Sequence, residues 1–189
     1  MILRGKGFSL GFLMAALLLV GGVAVTPGAA VAASAQEIDI GVKGALERFR
    51  KEVTGGQEFL NKAAGVLVFP EVFKAGIGVG GEYGEGALRI GGKTVAYYST
   101  AAASIGLQFG GQIKTVVIVF LTKKALDEFR KSDGWKAGVD GSVALVEWGV
   151  GKDINTMDVK DPVVGFIFDN KGLMYNLTLE GSKFTKIDR

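Results

Sequence analysis

Apolar residues recur at helical spacing from Ile38 to Val53: Ile38, Val42, Ala45, Leu46, Phe49 and Val53 fall within an arc of about 100°. The pattern predicts an amphipathic helix. Gly41 and Gly44 each weaken it by about 1 kcal/mol relative to alanine, and Gly55-Gly56 supplies its end. A shorter helical piece follows from Gln57 to Ala64, with Phe59, Leu60 and Ala63 on its buried side.

After Gly65 the period changes from helical to extended. Val66 to Phe69 is a continuous apolar run closed by Pro70. From Ala75 to Tyr83 side chains alternate with glycines, which predicts a strand with one nearly bare face. Gly84-Glu85-Gly86 reads as a turn into Ala87 to Ile90, and Gly91-Gly92 as another into Thr94 to Tyr98. Alternation returns from Ser104 to Phe109, and Ile113 to Leu121 is apolar enough for a central strand covered on both faces. Lys123 to Lys131 reads as a helix with Ala125, Leu126 and Phe129 inward, and Val139 to Trp148 as a strand. A polar connection from Gly149 to Asp161 leads to Val163 to Phe168, which Asp169-Asn170-Lys171-Gly172 joins as a hairpin to Leu173 to Leu179. Short strands, glycine-rich turns and helices gathered mostly at the beginning imply an α+β fold. Glycines inside strands permit sharp bends. The expected architecture is therefore a curled antiparallel β-sheet or partial barrel, with an N-terminal amphipathic helix and short additional helices.

Ahead of this domain lies a segment of different character. Arg4 and Lys6 precede an uncharged apolar run from Phe8 to Val25, and small residues fill Thr26 to Ala35. That is the layout of a secretory signal peptide. Ala30-Val31-Ala32 and Ala33-Ser34-Ala35 both suit a signal peptidase; the second is preferred because Gln36-Glu37 follows it, so cleavage after Ala32, Ala33 or Ala35 stays open. The expected organisation is a signal peptide over residues 1–35 and one domain over 36–189, exported to the periplasm or secreted.

Composition removes whole classes of chemistry. Among 189 residues there is no cysteine and no histidine, so disulfides, Cys/His zinc sites, Ser-His-Asp triads and cysteine nucleophiles are excluded. Losing the signal segment takes away Arg4 and Lys6, so the formal net charge of +3 falls by two. A nucleic-acid partner is not expected from a chain without a basic excess. No cofactor or metal is expected either. Gly76-Ile77-Gly78-Val79-Gly80-Gly81 matches a dinucleotide fingerprint in its letters, yet no helix start and no suitably spaced acid follow, so these read as strand glycines. Glu82, Glu85 and Glu147 are the carboxylates on which acid/base hydrolysis would have to rest, and they read as solvated turn residues. Asp153 to Asp158 lacks the glycine and terminal glutamate of an EF-hand, and Asn176-Leu177-Thr178 is a glycosylation sequon.

The polar side of the first helix carries Lys43, Arg48, Arg50 and Lys51, as a helix lying at a lipid surface would. Glu37, Asp39, Glu47 and Glu52 share that side and cancel the charge, so a helix docked on the sheet by its stripe fits the pattern as well.

Three stretches resemble the SYLF domain family, a lipid-binding module whose fungal members also bind actin. They are Ala64-Gly65-Val66-Leu67-Val68-Phe69-Pro70 running into Lys74-Ala75-Gly76 and Gly80-Gly81; Ser104 to Gln112 (SIGLQFGGQ); and Lys171-Gly172-Leu173 with Leu179-Glu180-Gly181-Ser182. With its signal segment the chain is similar to an exported bacterial branch of that family. The resemblance implies a non-enzymatic domain binding anionic phospholipid or a membrane surface. Lys43, Arg48, Arg50 and Lys51 are the counterparts by position of the family's basic helix, and Ile38, Val42, Leu46 and Phe49 would enter the head-group boundary. Where many eukaryotic members carry a tryptophan-containing segment, this chain has Lys93-Thr94-Val95-Ala96-Tyr97-Tyr98. The alternative is a protein-interaction module, with the helix purely structural and the sheet surface or edge engaging a protein partner.

Overall fold

The computed structural model describes residues 33–147, 161–172, 179 and 181–189, with the backbone alone for 104–109 and 147. The apolar segment from Phe8 to Val25, the acidic stretch from Asp153 to Asp158 and the sequon at Asn176 lie outside the described residues. The compact unit runs from Ala33 to Arg189, so a junction after Ala35 falls inside it.

Helix α1 spans Ala35–Glu52. Ser34 caps it, and Glu37 closes a capping box by accepting from the Ser34 backbone N–H at 2.7 Å. That hydrogen bond, and then one donated by the Ser34 hydroxyl at 2.8 Å, hold the Glu37 carboxyl below its ordinary range. After Val53 the chain turns at Gly55, whose φ of 76° suits glycine, into α2, Gly56–Lys62.

Two long strands then build the sheet: β1, Gly65–Ile90, and β2, Lys93–Phe120, joined at Gly91-Gly92, both with positive φ. They pair antiparallel along their whole length, interrupted by irregularities between Phe69 and Val72, Ile77 and Val79, and Leu88 and Arg89. Helix α3, Lys123–Lys131, is capped by Thr122. The remaining strands are β3, Trp135–Lys136; β4, Ala144–Glu147; β5, Val163–Gly172; and β6, Lys183–Ile187. On the edge of β2 away from β1, β6 pairs with residues 97–101 and β5 with 112–120. β3 extends the sheet beyond β6 and β4 beyond β5, β4 running parallel to β5.

The expected curled α+β architecture is what the chain adopts, with longer strands than the pattern suggests. Gly84-Glu85-Gly86 is no turn. It lies inside β1, where the late half of the strand crosses over its early half. A Cβ on Gly84 would stand 2.7 Å from the Glu71 carbonyl oxygen, and one on Gly86 would strike the Val68 carbonyl. The absent side chains let the sheet close on itself. The predicted strand from Val139 shrinks to β4, and the backbone of β5 continues through Asp169 to Gly172 where a turn was expected. The second arm of that hairpin, 173–178, lies outside the described residues.

Curling gives the sheet two buried faces. The concave side packs Leu67, Phe69, Ile118, Phe120, Trp135 and Phe184 against Leu126 and Phe129 of α3. The convex side packs Val66, Val68, Val117, Val119, Phe166 and Phe168 beneath α1 and α2.

Candidate functional site

The helical stripe is the link between the two layers. Ile38, Val42, Ala45, Leu46 and Phe49 are all buried, and Phe49 stacks edge-on against Phe166 at 4.9 Å. In this structure those side chains hold α1 on the sheet. The polar side of the helix divides. Arg48 pairs with Asp169 at 3.3 Å, while Arg50 and Lys51 stand exposed in the last turn, where they complement the helix dipole. Lys43 is exposed and has no ion-pair partner among the described residues.

Lys43 opens onto a surface cleft of about 740 Å³ between the first two turns of α1 and the β1–β2 turn. Arg89 and Lys93, which flank Gly91-Gly92, complete a group of three bases around it. The one acid in the cleft, Asp39, accepts from Thr94 Oγ1 at 2.7 Å and from the Tyr97 hydroxyl at 3.1 Å. Burial, and then the Asp39 carboxylate, push the Tyr97 phenol up, so it stays a neutral donor at physiological pH. Arg89 gives one N–H to the Gly92 carbonyl, and its Nε is buried without a partner among the described residues. Ile40 lines the same cleft and is 65% exposed. Three cations against one satisfied carboxylate make a receptor for an anionic group, with an apolar side chain beside it.

A second surface occupies the same convex face. Strand alternation in β1 turns Phe73, Ile77, Val79 and Tyr83 outward beyond the area α1 covers, and Ile77 and Val79 are 75% and 66% exposed. Gly78, at φ 73°, separates the last two at the irregularity in β1. Ile113, opposite Phe73 on β2, is partly exposed as well. Several exposed apolar side chains along one strand are uncommon on a soluble surface.

The opposite alternation places polar groups inside. Glu82 is buried and accepts from Lys114 Nζ at 2.9 Å, with Lys114 fully buried. Lys74 lies in the same pocket of charge. Desolvation lowers its pKa, Glu82 opposes that, and Lys114 reinforces it. Glu85 is bound by the Tyr83 hydroxyl at 2.6 Å and by Arg189. Neither carboxylate is the solvated turn residue the sequence suggested: both sit on a continuous strand, and each has a partner far away in the chain. The side chain of Glu147 lies outside the described residues. No cluster of acids suited to a metal occurs among the described residues, and no described helix is long and apolar enough to cross a membrane.

The bases that sequence reasoning overlooked are Arg89 and Lys93. Their signal was their position on both sides of a glycine turn, which becomes meaningful once α1 is known to end its first turns there.

No curated protein matches the chain. A family model does match, over residues 101–188, a little under half of the sequence: Ysc84, described as Las17-binding protein actin regulator. The match takes in most of β2 and the elements that follow it, and the cleft lies ahead of it. Residues 101–188 match the Ysc84, or SYLF, model, which bears out the resemblance read from Ser104 to Gln112 and from Lys171 to Ser182; the stretch from Ala64 to Gly81 lies ahead of the match.

Proposed function

We propose that this chain is a non-catalytic, exported binding domain that associates with anionic phospholipid at a membrane surface. One observation carries the reading: the convex face presents two bases without an ion-pair partner among the described residues, Lys43 and Lys93, and exposed apolar side chains, Ile77 and Val79 at their centre. Phosphate groups would meet the bases, while the row enters the head-group boundary. Each large side chain so buried contributes roughly 1.5 to 3 kcal/mol, and each base near an anionic surface about 1 kcal/mol. Apolar contact therefore outweighs charge. Contact is assigned to this surface rather than to Ile38, Val42, Leu46 and Phe49, because those four are already engaged in the core. Flotation with anionic vesicles at low and high salt tests the proposal; failure to float at either salt removes it.

The family description favours a second reading, a protein partner. In that case the same apolar row docks a protein, binding does not depend on vesicles, and substituting Ile77 abolishes capture of the partner alone.

A further inference from the structure

Lys136 of β3 and Lys183 of β6 stand directly opposite each other in the sheet. Their neighbours Trp135 and Phe184 also face each other, buried on the concave side with ring centroids 5.9 Å apart. Side chains alternate along a strand, so both lysines project from the convex face, where both are exposed. Like charges in directly opposed positions destabilise a sheet. No carboxylate offsets them: neither ammonium lies within ion-pair distance of one among the described residues. The Asp140 carboxylate accepts instead from the Lys136 backbone N–H at 2.7 Å. Gly134 brings the two charges nearer. A Cβ there would strike Lys183 Cε, so the lysine stem lies over that bare backbone and leans toward the strand that carries Lys136.

Strand register ties this pair to the apolar side chains of the same face. Tyr83 on β1 pairs with Ala101 on β2, Ala101 with Lys183, and Lys183 with Lys136, so one row crosses four strands. Tyr83 is 51% exposed, and Ala101 is exposed and too small to separate it from the bases. With strands about 4.8 Å apart, Lys183 emerges roughly 10 Å from Tyr83. Its long stem lies along the sheet while the charge stays in water.

Resting on the reading that this face meets lipid, we infer that Lys136 and Lys183 form a second phosphate-binding point, where two ammonium groups share the phosphate of one anionic lipid head group. Both ammonium groups donate and the phosphate oxygens accept. A shared anion removes the repulsion that the lipid-free chain carries. The occupant is a bilayer rather than free phosphate, because Tyr83, Val79 and Ile77 lie exposed beside the pair and only a bilayer covers them as well. Lys93 lies about 26 Å from Ala101 along β2, at about 3.3 Å per residue, so one head group cannot serve both points. Two separate anchors, together with the apolar side chains, fix how the sheet lies on the membrane.

The test uses the whole chain at low salt with vesicles of phosphatidylcholine, with and without phosphatidylglycerol. Lys136→Gln/Lys183→Gln should weaken binding to the anionic vesicles about 30-fold. Lys123→Gln/Lys131→Gln removes the same charge from α3, which packs on the concave side, and should bind nearly as the unaltered chain does. Equal weakening in both variants overturns the site, since net charge alone would then be at work; undiminished binding by Lys136→Gln/Lys183→Gln overturns it too. Release from the vesicles by millimolar inorganic phosphate at constant ionic strength overturns the bilayer as occupant. Without lipid, Lys136→Gln should raise Tm at low salt and leave it unchanged at high salt. A lowered Tm would contradict the inference, because the pair would then serve the fold. If the unaltered chain binds no anionic vesicles, the lipid reading itself fails, a result distinct from all of these.

Discussion

Replacing Phe49 with alanine asks whether α1 belongs to the core or to a bilayer. The ring is fully buried, edge-on to Phe166 at 4.9 Å and tilted against Phe168 at 5.8 Å. Truncating a buried phenylalanine costs about 3–5 kcal/mol, against a total stability of order 5–15 kcal/mol. For a domain of this size each kcal/mol moves Tm by roughly 2–4 °C, so Phe49→Ala should lower it by roughly 6–20 °C. Leu46→Asp, which buries a charge on the same stripe, should be as severe or leave the chain unfolded. Detaching the helix to reach lipid would uncover Val66, Val68, Val117 and Phe166, each worth roughly 1.5–3 kcal/mol. That sum rivals the stability of the whole domain, so α1 remains docked. Thermal and urea unfolding, run beside vesicle flotation, decide the matter. Lost flotation with an unchanged Tm in Phe49→Ala would refute the reasoning, because the ring would then be serving the membrane and not the core.

Two further outcomes follow from the buried charges. Lys114→Met should destabilise by about 3–5 kcal/mol, since it strands Glu82 beneath the sheet. Lys114→Met with Glu82→Leu should recover much of that loss in urea unfolding, and additivity of the two single costs would contradict the pairing. The folded pKa of Glu85 lies below its ordinary 4.5, so its contribution to stability is fully present above that pH and is lost as pH falls through the folded value. Glu85→Gln should accordingly flatten the acid limb of a Tm-against-pH curve; an unchanged limb would show that Tyr83 and Arg189 do not hold the carboxylate.

Much of this architecture was legible in the residues, for reasons that also mark where legibility stops. The stripe from Ile38 to Val53 predicts α1 because helical period survives any context; what the stripe packs against is not encoded in its period, and the sheet took it. Gly91-Gly92 was readable as a turn because both residues need positive φ. Gly84 and Gly86 look the same in sequence but serve a different end, the crossing of β1 over itself, which depends on residues up to eighteen positions away. Glu82 finds Lys114 across 32 positions, so no local pattern announces the pair. The alternation from Ala75 to Tyr83 was plain, but which of its faces meets solvent was decided by where α1 ends. The cleft was hidden for a similar reason, since Lys43, Arg89 and Lys93 come from α1, β1 and β2, and only the fold brings α1 to the β1–β2 turn.

The central claim is that the convex face, outside the docked stripe, touches lipid. Flotation with anionic vesicles of the chain, its Ile77→Ser/Val79→Ser variant and its Lys43→Gln/Lys93→Gln variant tests it most directly. The account predicts that the unaltered chain floats at low salt and less at high salt. It predicts that the serine variant stays behind with its Tm unchanged. The glutamine variant should bind roughly 30-fold more weakly at low salt, from two bases at about 1 kcal/mol each. Flotation undiminished in both variants, or none by the unaltered chain at either salt, would contradict it.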